Sequence, residues 1–541
     1  MRLQINLSPD WLLDAEMREY PLDEAVDFCI VGTGAGGGVL AQRLASYGFS
    51  VVCLEAGEWL DSEHDMVSDE AGSSALYWND VRISGGDEPL ALGSNNSGRT
   101  VGGSTVHYAA FCPRFHPSDF RVRTLDGVAD DWPFPYESLE PYYAAMEREF
   151  PVAGPARFPW GKPHGYPYAP LQSGTAGHVL IRGCLALGIP VVPGGPIGIN
   201  AGTFGKRPHC IFRGFCLQGC KVGAKQSTLV SHLPDAIEHG AEIRAHSMAF
   251  DIPLGHDGRV TGVRYYRSDA SGAFHEELQR ARAVVVAGYA IETPRLLLNS
   301  RSGQFPDGLA NSSGLVGKRL MAQAGQVVWG RFPEMIRQYK APPAVAETEE
   351  FYETDPRNDF VRGYAIQSVS PLPIAMAHLL SDEEVVFGWA LRHRMEEYNN
   401  YAAIGLLGEI LPDERNYVGL SNVKDRFGIP VAYVHFNLFE NDRKLIHAGV
   451  ARCRAVLEAA GARETHYVNR YAHLVGTCRM GDDPKTSVVD QFCRSWDVPN
   501  LYVCDGSVLV TQGSANPALT ISAIAARTAD YLREAGVRQE L

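Results

Sequence analysis

Between Asp27 and Gly57 the chain reads "DFCIVGTGAGGGVLAQRLASYGFSVVCLEAG". An apolar run, a glycine cluster, a helical repeat of apolar positions and a second apolar run follow in that order. The pattern predicts strand, tight turn, helix and strand, with Glu55 closing the second strand. Further apolar runs, "ARAVVVAGYA" (281–290) and "IPVAYVHFNL" (429–438), also read as strands. Residues 151–171, "PVAGPARFPWGKPHGYPYAPL", have no sustained period and are expected to loop over the surface. Residues 341–360, "APPAVAETEEFYETDPRNDF", mix proline with acidic side chains and read as a linker or lid. No internal repeat or low-complexity tract is present. Helical and strand patterns are mixed, so the fold class is α/β, α+β overall.

Composition narrows this picture. The chain has 541 residues, 45% hydrophobic and 21% charged, which fits a globular protein too long for one core. A formal net charge of −14 without a basic cluster excludes a nucleic-acid binder. The N-terminal stretch, residues 1–25, has no twin arginine, apolar core or small-residue cleavage site, so no export signal is expected there. The cytoplasm, where disulfides are rare, is the expected location, with export alongside a signal-bearing partner as the alternative. The uncharged window from Gly506 to Ala526 is long enough to raise the question of a membrane span. Its Ser, Thr, Gln, Asn and Pro residues would be costly in lipid, so it reads as buried interior.

Gly32, Gly34 and Gly37 form G-x-G-x-x-G directly after the first predicted strand. The first glycine permits a tight turn and the second lets backbone approach a pyrophosphate. The third allows close helix–strand packing, and the helix N-terminus offers free N–H groups to the anion. Glu55 is placed to accept a hydrogen bond from an adenosine ribose. The motif does not decide between NAD and FAD, and no second copy exists for another nucleotide.

Several more segments resemble one family, the glucose–methanol–choline (GMC) oxidoreductases. "SGRTVGGSTVHYAAFCPRF" (97–115) looks like their flavin loop and "AIETPRLLLNS" (290–300) like their second signature. Two departures stand beside that signature: Tyr289 where a small residue is usual, and Arg301 in place of glycine. "EILPDERNYVGL" (409–420), "HLVGTCRMG" (473–481) and "VCDGSVLVTQGSANPALTISAIAARTADYL" (503–532) also fit, in the same order. "DWPFPYESLEPYY" (131–143) looks like the gluconate, fructose and FAD-dependent glucose dehydrogenase branch, with long-chain alcohol oxidases nearby.

The resemblance implies FAD in a discontinuous Rossmann-like domain (20–120, 205–310 and 466–541). It also implies a substrate domain built on an antiparallel sheet (121–204 and 311–465). Arg99, Gly102, Gly103 and Ser104 would pass beside the pyrophosphate and flavin. Asp505 and Gly506 would contact the flavin side, with Asn516 and Pro517 at the isoalloxazine. Relatives such as choline oxidase link a histidine covalently to flavin at the position of His107; other relatives keep the histidine unlinked.

Removing a hydride from an alcohol carbon requires the hydroxyl proton to leave, and a positioned base supplies about 10²–10⁴-fold. By itself a histidine is more often structural, and Asn before Pro more often a turn. The resemblance assigns His473 as the base and Asn516 as the group that fixes the substrate oxygen. The implied activity is oxidation of an alcohol group on a sugar, polyol or related alcohol, with electrons passing to a quinone, cytochrome or other carrier. An oxygen-using oxidase and a redox-silent FAD-binding lyase share the same fold, and a regulatory FAD-binding protein is the remaining alternative.

"HCIFRGFCLQGCKVGAK" (209–225) places Cys210, Cys216 and Cys220 at C-x5-C-x3-C spacing. In sugar dehydrogenases of this branch the same spacing holds a 3Fe-4S cluster, and soft thiolates suit iron–sulfur chemistry. Lys221, not proline, follows the last cysteine. A packed or partly disulfide-linked loop is the alternative, and zinc is disfavoured because its fourth ligand, His209, lies adjacent to Cys210.

Overall fold

A computed structural model of the chain describes residues 3–5, 15–62, 64–92, 97–269, 272–384 and 386–538. Residues 1, 2 and 6–14 of the N-terminal stretch read for an export signal therefore lie outside the described residues.

Val26–Val31, Val51–Leu54, Glu242–Arg244, the second half of Phe274–Val286 and Leu501–Val503 form one parallel sheet. Phe28, Cys29, Ile30, Val52, Cys53 and Val284 are fully buried. Such continuous apolar strands are what a parallel sheet covered on both faces requires. The helix Gly37–Ser46 follows the first strand and packs against Ala518–Val537 and His232–Glu238. The first half of Phe274–Val286 leaves the parallel region and pairs antiparallel with Gly262–Ser268, which pairs with Ser247–Asp251.

The second sheet is antiparallel. Glu464–Val468, Val327–Arg331, Tyr401–Gly408, Tyr364–Val369, Ala346–Thr348 and Val192–Pro193 lie in that order. Met321–Ala324 joins Tyr401–Gly408 to Tyr471–Val475, so this sheet continues past the boundary expected at 465. Helices Gly174–Ala186 and Glu440–Ala459 cover one face. The other face turns toward the parallel sheet. A small third sheet of Ile83–Gly85, Pro430–His435 and Tyr417–Lys424 flanks the pair.

Two expectations need correction. Residues 341–360 are not a linker: Ala346–Thr348 is a buried strand held between Tyr364–Val369 and Val192–Pro193. Cross-strand partners there override a weak local pattern. Residues 151–171 are irregular but not merely superficial. Ala153 exchanges two 2.8 Å backbone hydrogen bonds with Ile197, which lets Val152, Ala153 and Phe158 be buried. The uncharged window ending at Ala526 is interior: Ser507 to Ala515 are buried and the following helix packs inside the molecule. No helix among the described residues is long and apolar enough to cross a membrane.

Candidate active site

A cavity of about 860 Å³ opens between the C-terminal ends of the parallel strands and the free face of the antiparallel sheet. Ligands of doubly wound sheets bind at such a strand-order reversal. Gly32, with φ +95°, turns the chain beneath Ala287: a Cβ there would lie 2.4 Å from the Ala287 carbonyl oxygen. A Cβ on Gly37 would lie 2.0 Å from the Gly32 oxygen, so the helix sits directly on the strand. Gly34 faces open space; the nearest atom to its would-be Cβ is the Gly103 Cα at 3.9 Å. The two glycine loops thus meet at the cavity wall and leave room for a flat, phosphate-bearing cofactor against bare backbone.

Of the residues expected at the cofactor, Gly32, Gly34, Glu55, Gly103, Ser104, His107, Asp505, Gly506, Asn516 and Pro517 line the cavity. Gly37, Arg99 and Gly102 do not; they build the cradle from behind. Gly102 N–H donates to Thr33 Oγ1 at 2.9 Å, and Arg99 ion-pairs with Asp80 at 2.6 Å. Glu55 Oε2 accepts from Thr33 Oγ1 (2.7 Å) and N–H (3.1 Å), while Oε1 accepts from Gly57 N–H (3.1 Å). Burial raises its pKa, and these bonds oppose that rise. Asp505 accepts from Tyr289 N–H (2.8 Å), Thr293 Oγ1 (2.6 Å) and Ser507 N–H (2.8 Å), pinning the helix Tyr289–Asn299 against Gly506. His107 is buried edge-on to Tyr77, at 4.8 Å between ring centroids, and among the described residues its Nε2 has no hydrogen-bond partner. Burial and the Lys225 charge lower its pKa to about 3, so the ring is neutral.

His473 and Asn516 come together in the wall, as Asn516 Nδ2 donates to His473 Nε2 at 3.2 Å. Local backbone explains the approach. Between the pairs Met321–Val475 and Gln323–Ala472 the strand Tyr471–Val475 carries one extra residue, a bulge, and His473 takes φ +51°. Bulges re-aim side chains in this way.

Two glutamines escaped the sequence reading. Gln323 donates its amide protons to the Gly513 (2.8 Å) and Ala515 (3.3 Å) carbonyls, so its Oε1 must accept the 2.6 Å bond from His473 Nδ1–H. That fixes the tautomer with a lone pair on Nε2. Gln367 donates to Asn516 Oδ1 at 2.6 Å, turning the asparagine's NH₂ toward the histidine. Burial first, then the charge of Arg470, lower the His473 pKa to about 4. The signal for Gln323 was present in "MAQAGQVVW", a glutamine inside an apolar strand, but its partner was not.

The cysteine segment abuts this site without lining it through its thiols. Leu217 and Gln218 reach the cavity. Cys216 is buried in an apolar cluster with Phe111 and Ile197, and Cys210 packs against the same cluster. Burial pushes the Cys210 thiol up to about 11 and the Cys216 thiol higher still. Among the described residues no group of three or more His, Cys, Asp or Glu is gathered to hold a metal ion. The cluster expected at Cys210, Cys216 and Cys220 therefore finds no assembled ligand set. Buried Lys225 instead ties the segment to the flavin loop, donating to the Val106 (2.7 Å), Tyr108 (2.9 Å) and Cys216 (2.8 Å) carbonyls.

The fold and cavity define a dinucleotide-binding protein whose parallel sheet faces an antiparallel one across the cavity. The GMC oxidoreductase signatures match residues 70–324 and 412–525. The chain is 35% identical to 2-methyl-1,2-propanediol dehydrogenase of Mycolicibacterium austroafricanum, over 94% of this chain and 95% of that protein. It is 28% identical to the fructose dehydrogenase large subunit of Gluconobacter japonicus, over 94% and 98%. Its fold matches pyridoxine 4-oxidase from Mesorbium loti with a TM-score of 0.67 at 19% identity, over 94% and 99%. The chain belongs to the GMC oxidoreductases. It is an FAD-dependent enzyme acting on CH–OH groups.

Proposed function

We propose that the chain is a dehydrogenase of a small alcohol, polyol or sugar, with His473 as base and Asn516 as the group that holds the reacting oxygen. One observation carries the reading: the His473–Asn516 pair lies in the cavity wall with each side chain oriented by its own glutamine. The lone pair on Nε2 faces the asparagine NH₂, so a hydroxyl entering between them would donate to Nε2 and accept from Nδ2. A neutral imidazole at physiological pH suits proton removal. Asn516 has no proton to yield at that pH, so the base role falls on His473 alone. FAD, when bound, accepts the hydride released as the hydroxyl proton leaves.

The glycine cradle at Gly32, Gly34 and Gly103 and the helix start at Gly37 would hold the pyrophosphate, with Glu55 toward the ribose. His107, buried with a free Nε2 in the same wall, would touch the flavin edge. Whether it bonds covalently is read by whether flavin remains with acid-precipitated protein. For the cysteine segment, buried Cys216 and the half-buried Cys210 and Cys220 support a packed loop; iron bound in proportion to flavin on anaerobically purified protein would return the cluster.

The test is anaerobic stopped-flow reduction of the bound flavin by 2-methyl-1,2-propanediol, fructose and simple primary alcohols. Reduction by one of them is expected, slowed about 10²–10⁴-fold in His473→Gln. No reduction by any alcohol would sink the proposal. Reoxidation by dyes but not by oxygen is the outcome a dehydrogenase predicts. Fast reoxidation by oxygen would favour the oxidase reading, which the 30%-identical 6'''-hydroxyparomomycin C oxidase of Streptomyces lividus supports.

A further inference from the structure

The charged groups in the cavity wall are, with one exception, already satisfied by the protein. Arg82 pairs with Glu292 at 2.9 Å, and Arg295 with Glu292 at 2.9 Å and Asp425 at 2.6 Å. Glu70 accepts from the first N–H groups of Pro373–Glu384, those of Ile374 and Ala375, at 2.7 Å each. Glu55 and Asp505 have the partners described above. The exception is Arg470. It lines the cavity and is exposed to its interior, and among the described residues its guanidinium has no acidic or hydrogen-bonding partner. Only its backbone is held, the carbonyl accepting from Gly325 N–H at 2.8 Å.

Arg470 immediately precedes the bulged strand that carries His473, and the extra residue in that strand lets residues 470, 472 and 473 all reach the cavity. Its charge adds to burial in lowering the pKa of His107 and His473, and at Tyr77 it opposes the rise that burial causes. It therefore stands among the groups that surround the reacting centre. A cofactor filling much of this space would displace water from the guanidinium, and an unpaired buried cation is costly. A planar fork of N–H donors matches a carboxylate bidentately. One cation in an otherwise neutralised, largely apolar wall balances one negative charge, which suits a carboxylate better than a phosphate dianion.

We propose that Arg470 forms a carboxylate-binding subsite, and that the preferred substrates are hydroxy acids whose carboxylate it holds while their hydroxyl meets His473 and Asn516. The proposal rests on alcohol oxidation at that pair and adds the substrate class to it. The subsite makes Arg470 a specificity determinant, not a base. Neutral diols would still reach His473 but would leave the guanidinium unpaired. The net charge of −14 does not oppose this, because at physiological salt distant surface charges are screened beyond about 8 Å.

Calorimetric titration of the oxidised holoenzyme with butanoate and with butanamide, a pair alike in shape and different in charge, tests the subsite without turnover. Butanoate is expected to bind at least about tenfold more tightly, the weight of one charge-assisted pair. Arg470→Leu should abolish that preference and Arg470→Lys retain part of it. Equal affinities in the wild type, or a preference that survives Arg470→Leu, would overturn the proposal. Should the leucine variant not fold, the wild-type comparison decides alone. In companion flavin-reduction experiments, 4-hydroxybutanoate should exceed butane-1,4-diol in wild type but not in Arg470→Leu. A variant that lowers the flavin midpoint potential and slows both substrates equally would assign Arg470 to the flavin and reject the subsite. Failure of every alcohol to reduce the flavin would count against alcohol oxidation and leave the binding result to stand on its own.

Discussion

At the scale of single residues, the candidate site is built of pairs in which a glutamine orients a side chain to which the proposed mechanism gives a role. His473 could present either nitrogen to the cavity; the Gln323 oxygen decides which, because its NH₂ is already committed to two carbonyls. With a pKa held near 4, His473 is neutral above that value and charged below it. A base must be neutral, so kcat/KM is expected to be flat through neutral pH and to fall only as pH drops through about 4. Gln323→Glu places a carboxylate beside Nδ1–H and favours the charged imidazole. The acid limb should then move up by about one pH unit or more, measured by pH-resolved flavin reduction. An unmoved limb would mean that another group governs it.

At the scale of elements, two local irregularities do the positioning. The bulge in Tyr471–Val475 brings His473 to the wall, and the glycine turn lets Gly37–Ser46 start directly on the strand before it. Gly37→Ala tests the second. Its methyl would lie 2.0 Å from the Gly32 oxygen, in contact with backbone that cannot swing aside. The helix must shift, and the variant is expected to purify with little flavin, read from the ratio of visible to ultraviolet absorbance. A full flavin complement would show that the contact can relax. The strand–turn–helix here was legible because three glycines and an apolar run carry the instruction locally. The strand Ala346–Thr348 was not, because its sequence is acidic and proline-flanked; it is a strand only because Tyr364–Val369 lies beside it.

At the scale of the whole molecule, buried charge joins segments distant in sequence. His116 donates to Glu349 at 2.9 Å and to Glu353 at 2.7 Å and stacks on Tyr352 at 3.7 Å between centroids. Arg362 is held by Asp119, Glu409 and Asp126 close by. Burial alone would lower the His116 pKa, but the two glutamates prevail and raise it to about 10. Its unfolded value is about 6.5. The stabilisation it gives is therefore complete below pH 6.5 and is lost as pH rises through 10. Thermal unfolding from pH 7 to 10 should show this decline in wild type and a shallower one in His116→Leu. That variant should also be less stable by about 3–5 kcal/mol near neutral pH, since it strands buried Glu349 without a partner. Equal slopes would place the pH dependence elsewhere.

The sequence by itself determined the parts whose physics is local or whose order along the chain is diagnostic. These are the glycine turn with its flanking strands and helix, the family, and the candidates His473 and Asn516. Spacing and residue type suffice there, since a tight turn needs glycine and an apolar run needs burial. Only the tertiary structure decided what depends on partners far along the chain. It placed Gln323 and Gln367 behind the catalytic candidates, left Arg470 without a partner among the described residues, and packed the cysteine loop beside the cavity. No local pattern encodes these, because a hydrogen bond or an unpaired charge is a relation between residues that only folding brings within a few ångströms.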